Sequence, residues 1–268
     1  MIILILLRQL LNMTPTIKEL LPLAATYDQK LPEVEPVEIP TGAAIASVID
    51  HTLLKADATT TQLEALCKEA RQFGFFSVCI NPIAVPLAVS MLKDSPVKVC
   101  TVIGFPLGAV PTSMKVAEAQ WCLAEGAQEL DMVIPVGWLK SSKYDDVLKD
   151  IQAVVTQAHD HQAIVKVILE MALLTRREKI IACLLCQQAG ADFVKTSTGF
   201  GPSGASVEDV ALMSAVVGGP QRLGVKAAGG IRTLEDATAM LKAGATRLGT
   251  SAGINIIQQA LKAGAPCQ

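Results

Sequence analysis

The stretch AIVKVILEMALLTRREKIIACLLCQQAGADFVKTSTG, residues 163–199, decides the fold. Six of its first eight residues are aliphatic, and the two charges keep to one parity. Val165, Val167 and Leu169 fall on one face of an extended strand, with Lys166 and Glu170 on the other. An amphipathic run over 175–189 follows, closed by Gly190, as expected of a glycine that ends a helix in the left-handed conformation. Another aliphatic stretch, 191–196, then begins. This is one strand–helix–strand unit, and the chain repeats it in both directions. Strands are expected near 46–51, 75–80, 97–103, 128–134, 163–170, 191–196, 222–228 and 245–250. Helices are expected near 60–73, 83–93, 112–125, 144–159, 175–189, 206–217, 233–243 and 253–263. Gly126 and Gly244 punctuate their helices as Gly190 does, while Thr233 with Asp236 and Ser206 with Asp209 read as helix N-caps with first-turn acids. Alternation of this kind makes a parallel sheet, and eight units close into a (β/α)₈ TIM barrel where five or six would leave an open, doubly wound sheet.

The bulk numbers agree. A length of 268 residues suits one barrel, for which about 250 is usual. Hydrophobic residues make up 51% but aromatics only 4%, the aliphatic, alanine-rich composition of buried parallel strands. A net charge of -2 without a long basic run gives nucleic acid or an anionic membrane nothing to bind. The seven cysteines are scattered, odd in number and without framework spacing, which excludes a disulfide scaffold and fits a reducing cytosol. Cys183 and Cys186 form a C-x-x-C inside a helix and read as two small buried hydrophobes. Residues 1–44 read as an N-terminal extension, a helical piece followed by a proline-interrupted arm, ahead of a barrel domain over 45–268. The apolar run Ile2–Leu7 is too short to span a bilayer and lacks a basic segment before it; Met13 is an alternative start. The arm is a candidate subunit interface.

Charge inside the strands carries the chemistry. Asp131 lies opposite Leu130, Met132 and Ile134, Lys195 opposite Val194, and Lys226 opposite Val225. If the apolar parity packs on helices, the charged parity enters the barrel, where an isolated charge is expensive. The readings are a solvated functional cluster or an internal salt-bridge network. Lys195 and Lys226 are one repeat apart, on neighbouring strands near their C-terminal ends, where barrel active sites are built. Two adjacent amines favour chemistry: a nucleophilic lysine must be neutral, and a neighbouring cation disfavours its charged form. Asp131 can then move protons. Gly229-Gly230 after strand seven and Gly249-Thr250-Ser251-Ala252-Gly253 after strand eight resemble the phosphate-holding loops of such barrels. His51, His159 and His161 lack ligand spacing.

Six blocks, in order, resemble the deoxyribose-phosphate aldolase family: Ile49-Asp50-His51-Thr52-Leu53-Leu54-Lys55, Val78-Cys79-Ile80-Asn81-Pro82, Val102-Ile103-Gly104-Phe105-Pro106-Leu107-Gly108, Glu129-Leu130-Asp131-Met132-Val133, Val194-Lys195-Thr196-Ser197-Thr198-Gly199 and Val225-Lys226-Ala227-Ala228-Gly229-Gly230-Ile231-Arg232-Thr233. The resemblance covers about residues 45 to 260. It implies reversible cleavage of 2-deoxy-D-ribose 5-phosphate to D-glyceraldehyde 3-phosphate and acetaldehyde, a step of deoxyribonucleotide breakdown. It implies Lys195 as the Schiff-base amine, Asp131 as proton donor and acceptor, and Lys226 as the group that tunes Lys195. Asp50, at the end of the first strand, would help position or ionise the site. Substrate and phosphate contacts would come from Asp50, Thr198, Gly199, Gly229, Gly230, Gly249 and Ser251. The imine is the electron sink, so neither metal nor cofactor is implied. Partners would be small phosphosugars and aldehydes, in a cytoplasmic homo-oligomer, a dimer being favoured. Departures are Phe200 where some members carry a phosphate-holding lysine, Pro135 where many are polar, the apolar Met171-Ala172-Leu173, and a tail, Ala265-Pro266-Cys267-Gln268, without the tyrosine of some members. The alternatives are another Schiff-base barrel aldolase on a related phosphosugar and a catalytically silent barrel.

Overall fold

A computed structural model describes residues 16–34, 38–218 and 223–263. The run 2–7, Met13, Pro36, residue 222 and the tail 265–268 lie outside the described residues. In chain order the elements are α1 (Ile17–Gln29), β1 (Ile49–Leu53), α2 (Thr60–Phe73), β2 (Ser77–Ile80), α3 (Val85–Leu92), β3 (Lys98–Ile103), α4 (Thr112–Ala124), β4 (Glu129–Val133), α5 (Val136–Lys140), α6 (Tyr144–Asp160), β5 (Ile164–Ile168), α7 (Arg176–Ala189), β6 (Phe193–Lys195), α8 (Val207–Val217), β7 (Gly224–Ala228), α9 (Leu234–Lys242), β8 (Arg247–Thr250) and α10 (Gly253–Ala263). All eight strands are parallel and close into one barrel, β8 returning to β1 with Asp50 opposite Gly249. This is the expected TIM barrel.

Local chemistry sets the boundaries. The Thr233 and Ser206 hydroxyls accept hydrogen bonds from the Asp236 and Asp209 N–H groups, so both expected caps form. Thr59 with Gln62 and Thr175 with Glu178 add reciprocal capping boxes. Gly126, Gly190 and Gly244 take positive φ at the helix ends, as the sequence requires. The outward strand residues Leu130, Met132, Val165, Val167, Val194, Val225 and Leu248 are buried against the helices and form the main core.

Three differences matter. The first strand starts at Ile49 because a 3-10 turn occupies Gly42–Val48, so Asp50 is its second residue and lies deep in the barrel. The fifth strand stops at Ile168, and Glu170 beyond it takes a left-handed conformation at φ 54. A short helix, Val136–Lys140, follows Pro135; five residues are too few to show a period. Upstream, α1 packs on α7.

Candidate active site

Four neighbouring strands deliver the site. In-register pairing sets Asp131 of β4 beside Lys166 of β5, and Lys195 of β6 beside Lys226 of β7. With the apolar parity taken up by the helices, these side chains have only the barrel interior to enter. They converge on one carboxylate. Asp131 Oδ2 accepts from Lys195 Nζ at 2.7 Å and from Lys226 Nζ at 2.7 Å. Its Oδ1 accepts from Lys166 Nζ at 2.9 Å and from the Cys100 thiol at 3.2 Å. A second tier supports the first. Asp50 Oδ2 lies 2.5 Å from Lys226 Nζ, and Glu129 Oε2 lies 2.6 Å from Lys166 Nζ. Arg247 joins Asp50 at 2.9 Å and Glu129 at 3.2 Å, its guanidinium carbon 3.4 Å from the centre of the Phe76 ring.

The expectation of a solvated cluster is overturned. Asp50, Asp131, Lys166 and Lys226 are fully buried, and Lys195 keeps 2% of its surface. Opposite charges in contact offset the desolvation that an isolated charge would suffer. Burial pushes the Asp131 carboxyl up, but Lys166, Lys195 and Lys226 together hold it well below the usual carboxylate range. Asp50 is depressed likewise, against its own burial, chiefly by Lys226 and Lys166. Burial alone would discharge Lys226 and Lys166; their carboxylate partners instead raise both above the ordinary lysine value. Asp131 is therefore an anion at neutral pH, and Lys226 and Lys166 are cations.

The rim is glycine-built. Gly199, Gly229 and Gly230 have φ of 84, 88 and 82. A Cβ on Gly229 would stand 2.9 Å from the Gly204 Cα and 3.6 Å from the Gly199 Cα, so the loops after β6 and β7 touch backbone to backbone. The loop after β7 is tied to the β8–α10 turn by the Thr250 hydroxyl, which donates to the Ile231 carbonyl at 2.7 Å, and by Asn255 Nδ2, which donates to the Arg232 carbonyl at 2.7 Å. Ser251 stands exposed on that turn. Gly199, Gly229, Gly230 and Ser251 thus share one rim. Gly249 does not join them. It lies within β8, where a Cβ would meet Lys226 Cε at 2.9 Å, so its bareness makes room for the lysine. The Thr198 hydroxyl is engaged within the protein, donating to Glu170 Oε2 at 2.5 Å and accepting from the Phe200 N–H at 3.0 Å. Asp50 contacts Lys226 and Arg247 within the ion network and takes no part in the rim.

Glu129 and Arg247 were missed in the sequence, and Lys166 and Glu170 were placed inward without a role. The signal was parity: Glu129 is two residues before Asp131 on β4, and Arg247 two before Gly249 on β8, both at inward-facing positions. The histidines lie elsewhere, His51 paired with Glu69 and His159 with Asp192. Among the described residues, Cys79, Cys100 and Asp131 form a cluster with ligand atoms within 4.8 Å of one another. A divalent cation there would have to displace three ammonium groups from Asp131, a poor exchange.

The arrangement supplies a buried pair of amines sharing one carboxylate at the C-terminal end of a closed barrel, beside a backbone-lined rim suited to an anion. Comparison with known proteins places it. Residues 44–259 match the model of the DeoC/LacD family aldolases. The deoxyribose-phosphate aldolase of Carboxydothermus hydrogenoformans is 57% identical over 216 residues, which cover 80% of this chain and 94% of that protein. A crystal structure from Coccidioides immitis, provisionally named a deoxyribose-phosphate aldolase, superposes with TM-score 0.86 at 45% identity over 91% of this chain and 98% of that one. The tetrameric structure of deoxyribose phosphate aldolase from Aeropyrum pernix does so with TM-score 0.77 at 33% identity, over 91% and 97%. The chain belongs to the DeoC/LacD family of aldolases.

Proposed function

We propose that this chain is a deoxyribose-phosphate aldolase that breaks the carbon–carbon bond of 2-deoxy-D-ribose 5-phosphate through a Schiff base on Lys195. The observation that carries the reading is the single Asp131 oxygen shared at 2.7 Å by Lys195 and Lys226. In the barrel interior four cations, Lys166, Lys195, Lys226 and Arg247, meet three carboxylates, Asp50, Glu129 and Asp131. The charges balance when one amine is neutral. Lys226 contacts Asp50 and Asp131, and Lys166 contacts Glu129 and Asp131, whereas Lys195 pairs with Asp131 alone among the described residues. Discharging Lys195 sacrifices the fewest ion pairs, and it is the amine a substrate can reach.

Neutral Lys195 adds to the C1 aldehyde of the open-chain sugar, and the carbinolamine loses water to give a protonated imine. The C3 hydroxyl gives up its proton, the C2–C3 bond breaks and its electrons move into the enamine. D-glyceraldehyde 3-phosphate leaves. Protonation at C2 and hydrolysis release acetaldehyde. Asp131, an anion touching both amines, takes and returns protons, and Lys226 holds Asp131 in place. The rim of Gly199, Gly229, Gly230 and Ser251 takes the phosphate, with Phe200 offering no cation.

Six free cysteines among the described residues fit a cytoplasmic setting, and no helix among those residues is long and apolar enough to cross a membrane. We assign the catalysis to the barrel from residue 45 onward and a homo-oligomer, with a dimer favoured, to the assembly; the Aeropyrum pernix relative is a tetramer.

Borohydride reduction in the presence of deoxyribose 5-phosphate tests the mechanism. Mass spectrometry is expected to find the reduced two-carbon adduct on Lys195. Adduct on another lysine, or wild-type cleavage by Lys195→Ala, would refute it.

A further inference from the structure

Two thiols share the catalytic carboxylate, and the aldol chemistry uses neither. Cys79 of β2 and Cys100 of β3 are Cα partners in register on neighbouring strands. Both are fully buried on the inner face of the barrel. The Cys100 thiol lies 3.2 Å from Asp131 Oδ1 and the Cys79 thiol 3.9 Å from Asp131 Oδ2, with the two sulfurs and the carboxylate within 4.8 Å of one another. Lys166 Nζ also donates to Cys100 Sγ, at 3.3 Å. Adjacent strands stand about 4.8 Å apart, inside the Cα separation of roughly 4.4–6.8 Å that a disulfide spans.

The geometry points to a Cys79–Cys100 disulfide as a reversible oxidative switch on the active site, made by a small peroxide and undone by a dithiol. The Cys79 thiolate attacks one peroxide oxygen and hydroxide leaves, giving a sulfenic acid. The Cys100 thiol then attacks the Cys79 sulfur, releasing water as the S–S bond forms. Two electrons pass from the thiol pair to the peroxide, which ends as two waters. A hydrogen bond with Cys100 lowers Cys79 from the ordinary thiol value against burial and against the Asp131 carboxylate, with the Lys226 charge acting in the same direction. Burial raises every other described thiol: Cys67 up to about 11, Cys122 up to about 12, and Cys100, Cys183 and Cys186 as well. Hydrogen peroxide is smaller than the sugar that must reach Lys195, and Lys195 and Cys79 lie against the same Asp131 oxygen. Closing the S–S bond removes both thiol hydrogens and so strips Asp131 of the Cys100 and Cys79 donors.

The predicted loss of activity rests on the aldolase reading of this site; the cross-link does not. The experiment treats the full chain with hydrogen peroxide, blocks residual thiols, cleaves at Lys93 and Lys98 between the two cysteines, and follows deoxyribose 5-phosphate cleavage before and after dithiothreitol. A linked Cys79–Cys100 peptide is expected together with a loss of kcat/KM of about tenfold or more, the scale of disturbed proton transfer, restored by the dithiol. Cys183→Ala should behave as the native chain does. Cys79→Ala, whatever its starting rate, should lose the dithiol-reversible component, and Cys100→Ala should give no linked peptide, its Cys79 stopping at the sulfenic acid. The switch is overturned if inactivating doses give no linked peptide in the native chain, if the link forms without changing activity, or if reversible loss persists in Cys79→Ala. Should the reduced chain show no cleavage at all, the functional reading fails, and the linked peptide still decides whether the thiol pair closes.

Discussion

Asp131 carries three ammonium groups on two oxygens, so its charge matters more than its shape. Asp131→Asn keeps the side-chain volume and removes the anion. It should cost about 10²–10⁴-fold in kcat/KM, the usual worth of a positioned proton-transfer group. The same substitution reads the stability linkage. Asp131 and Asp50 are depressed in the folded chain, so their stabilisation is present above the unfolded carboxylate value and lost as pH falls through the folded one. Lys166 and Lys226 are raised, so theirs is present below the unfolded lysine value and lost only as pH rises through the folded one. Thermal melts should show a plateau between about pH 4 and pH 10, and the acid limb should be shallower in Asp131→Asn. An identical acid limb would mean that the network does not govern acid stability. At this scale the sequence was informative where parity was simple. Asp131, Lys195 and Lys226 stand out because each interrupts an aliphatic strand. Arg247 does not, since β8 is short and its Arg-Leu-Gly-Thr carries little alternation; nor could parity reveal that partner charges, rather than water, surround the amines.

Among the elements, α4 and α6 are joined by a pair that looks like surface charge in the sequence. Lys115 and Asp150 are both fully buried, 2.6 Å apart, with Thr112 donating to the other Asp150 oxygen at 2.7 Å. Lys115 Nζ also donates to the carbonyl of Val133, the last residue of the strand that presents Asp131, at 2.8 Å. Its stem passes Gly104, where a Cβ would stand 2.9 Å away. Lys115→Met should destabilise by about 3–5 kcal/mol, because it strands a buried carboxylate, and adding Asp150→Leu should recover part of that. Denaturant melts of the two variants check this; a neutral single variant would show that the pair does not clamp the helices. Helix ends were legible where caps are chemical: 60–73 agrees residue for residue with expectation, between the Thr59 cap and the left-handed Gly74. Strand starts are read one to three residues early and the ends of β4, β5 and β6 one or two residues late, as at 163–170 against Ile164–Ile168, because aliphatic residues flank the ladder on both sides; β1 instead runs two residues past its expected end, to Leu53.

For the whole molecule, the eight-fold rhythm alone specified closure, since each strand supplies one apolar face to the helices and leaves the other no destination but the interior. What the rhythm could not say is how α1, upstream of it, is used. Leu20 and Ala24 are buried, α1 packs on α7, and Asp28 reaches Arg176 at 3.2 Å. Burial of Leu20 alone is worth about 1.5–3 kcal/mol, while the Arg176 pair, largely in water, adds little. The helix lies on the outer layer, behind α7, and none of its residues enters the ion network that holds Lys195. A variant lacking residues 1–30 should therefore melt several degrees lower, as about 2 kcal/mol implies for a chain of this size, and still take the borohydride label on Lys195. If the melting temperature did not move, α1 would contribute nothing to the barrel it covers. If the label vanished from a variant that remained folded by circular dichroism, the outer layer would reach the amine by a route that the contacts of α1 do not contain.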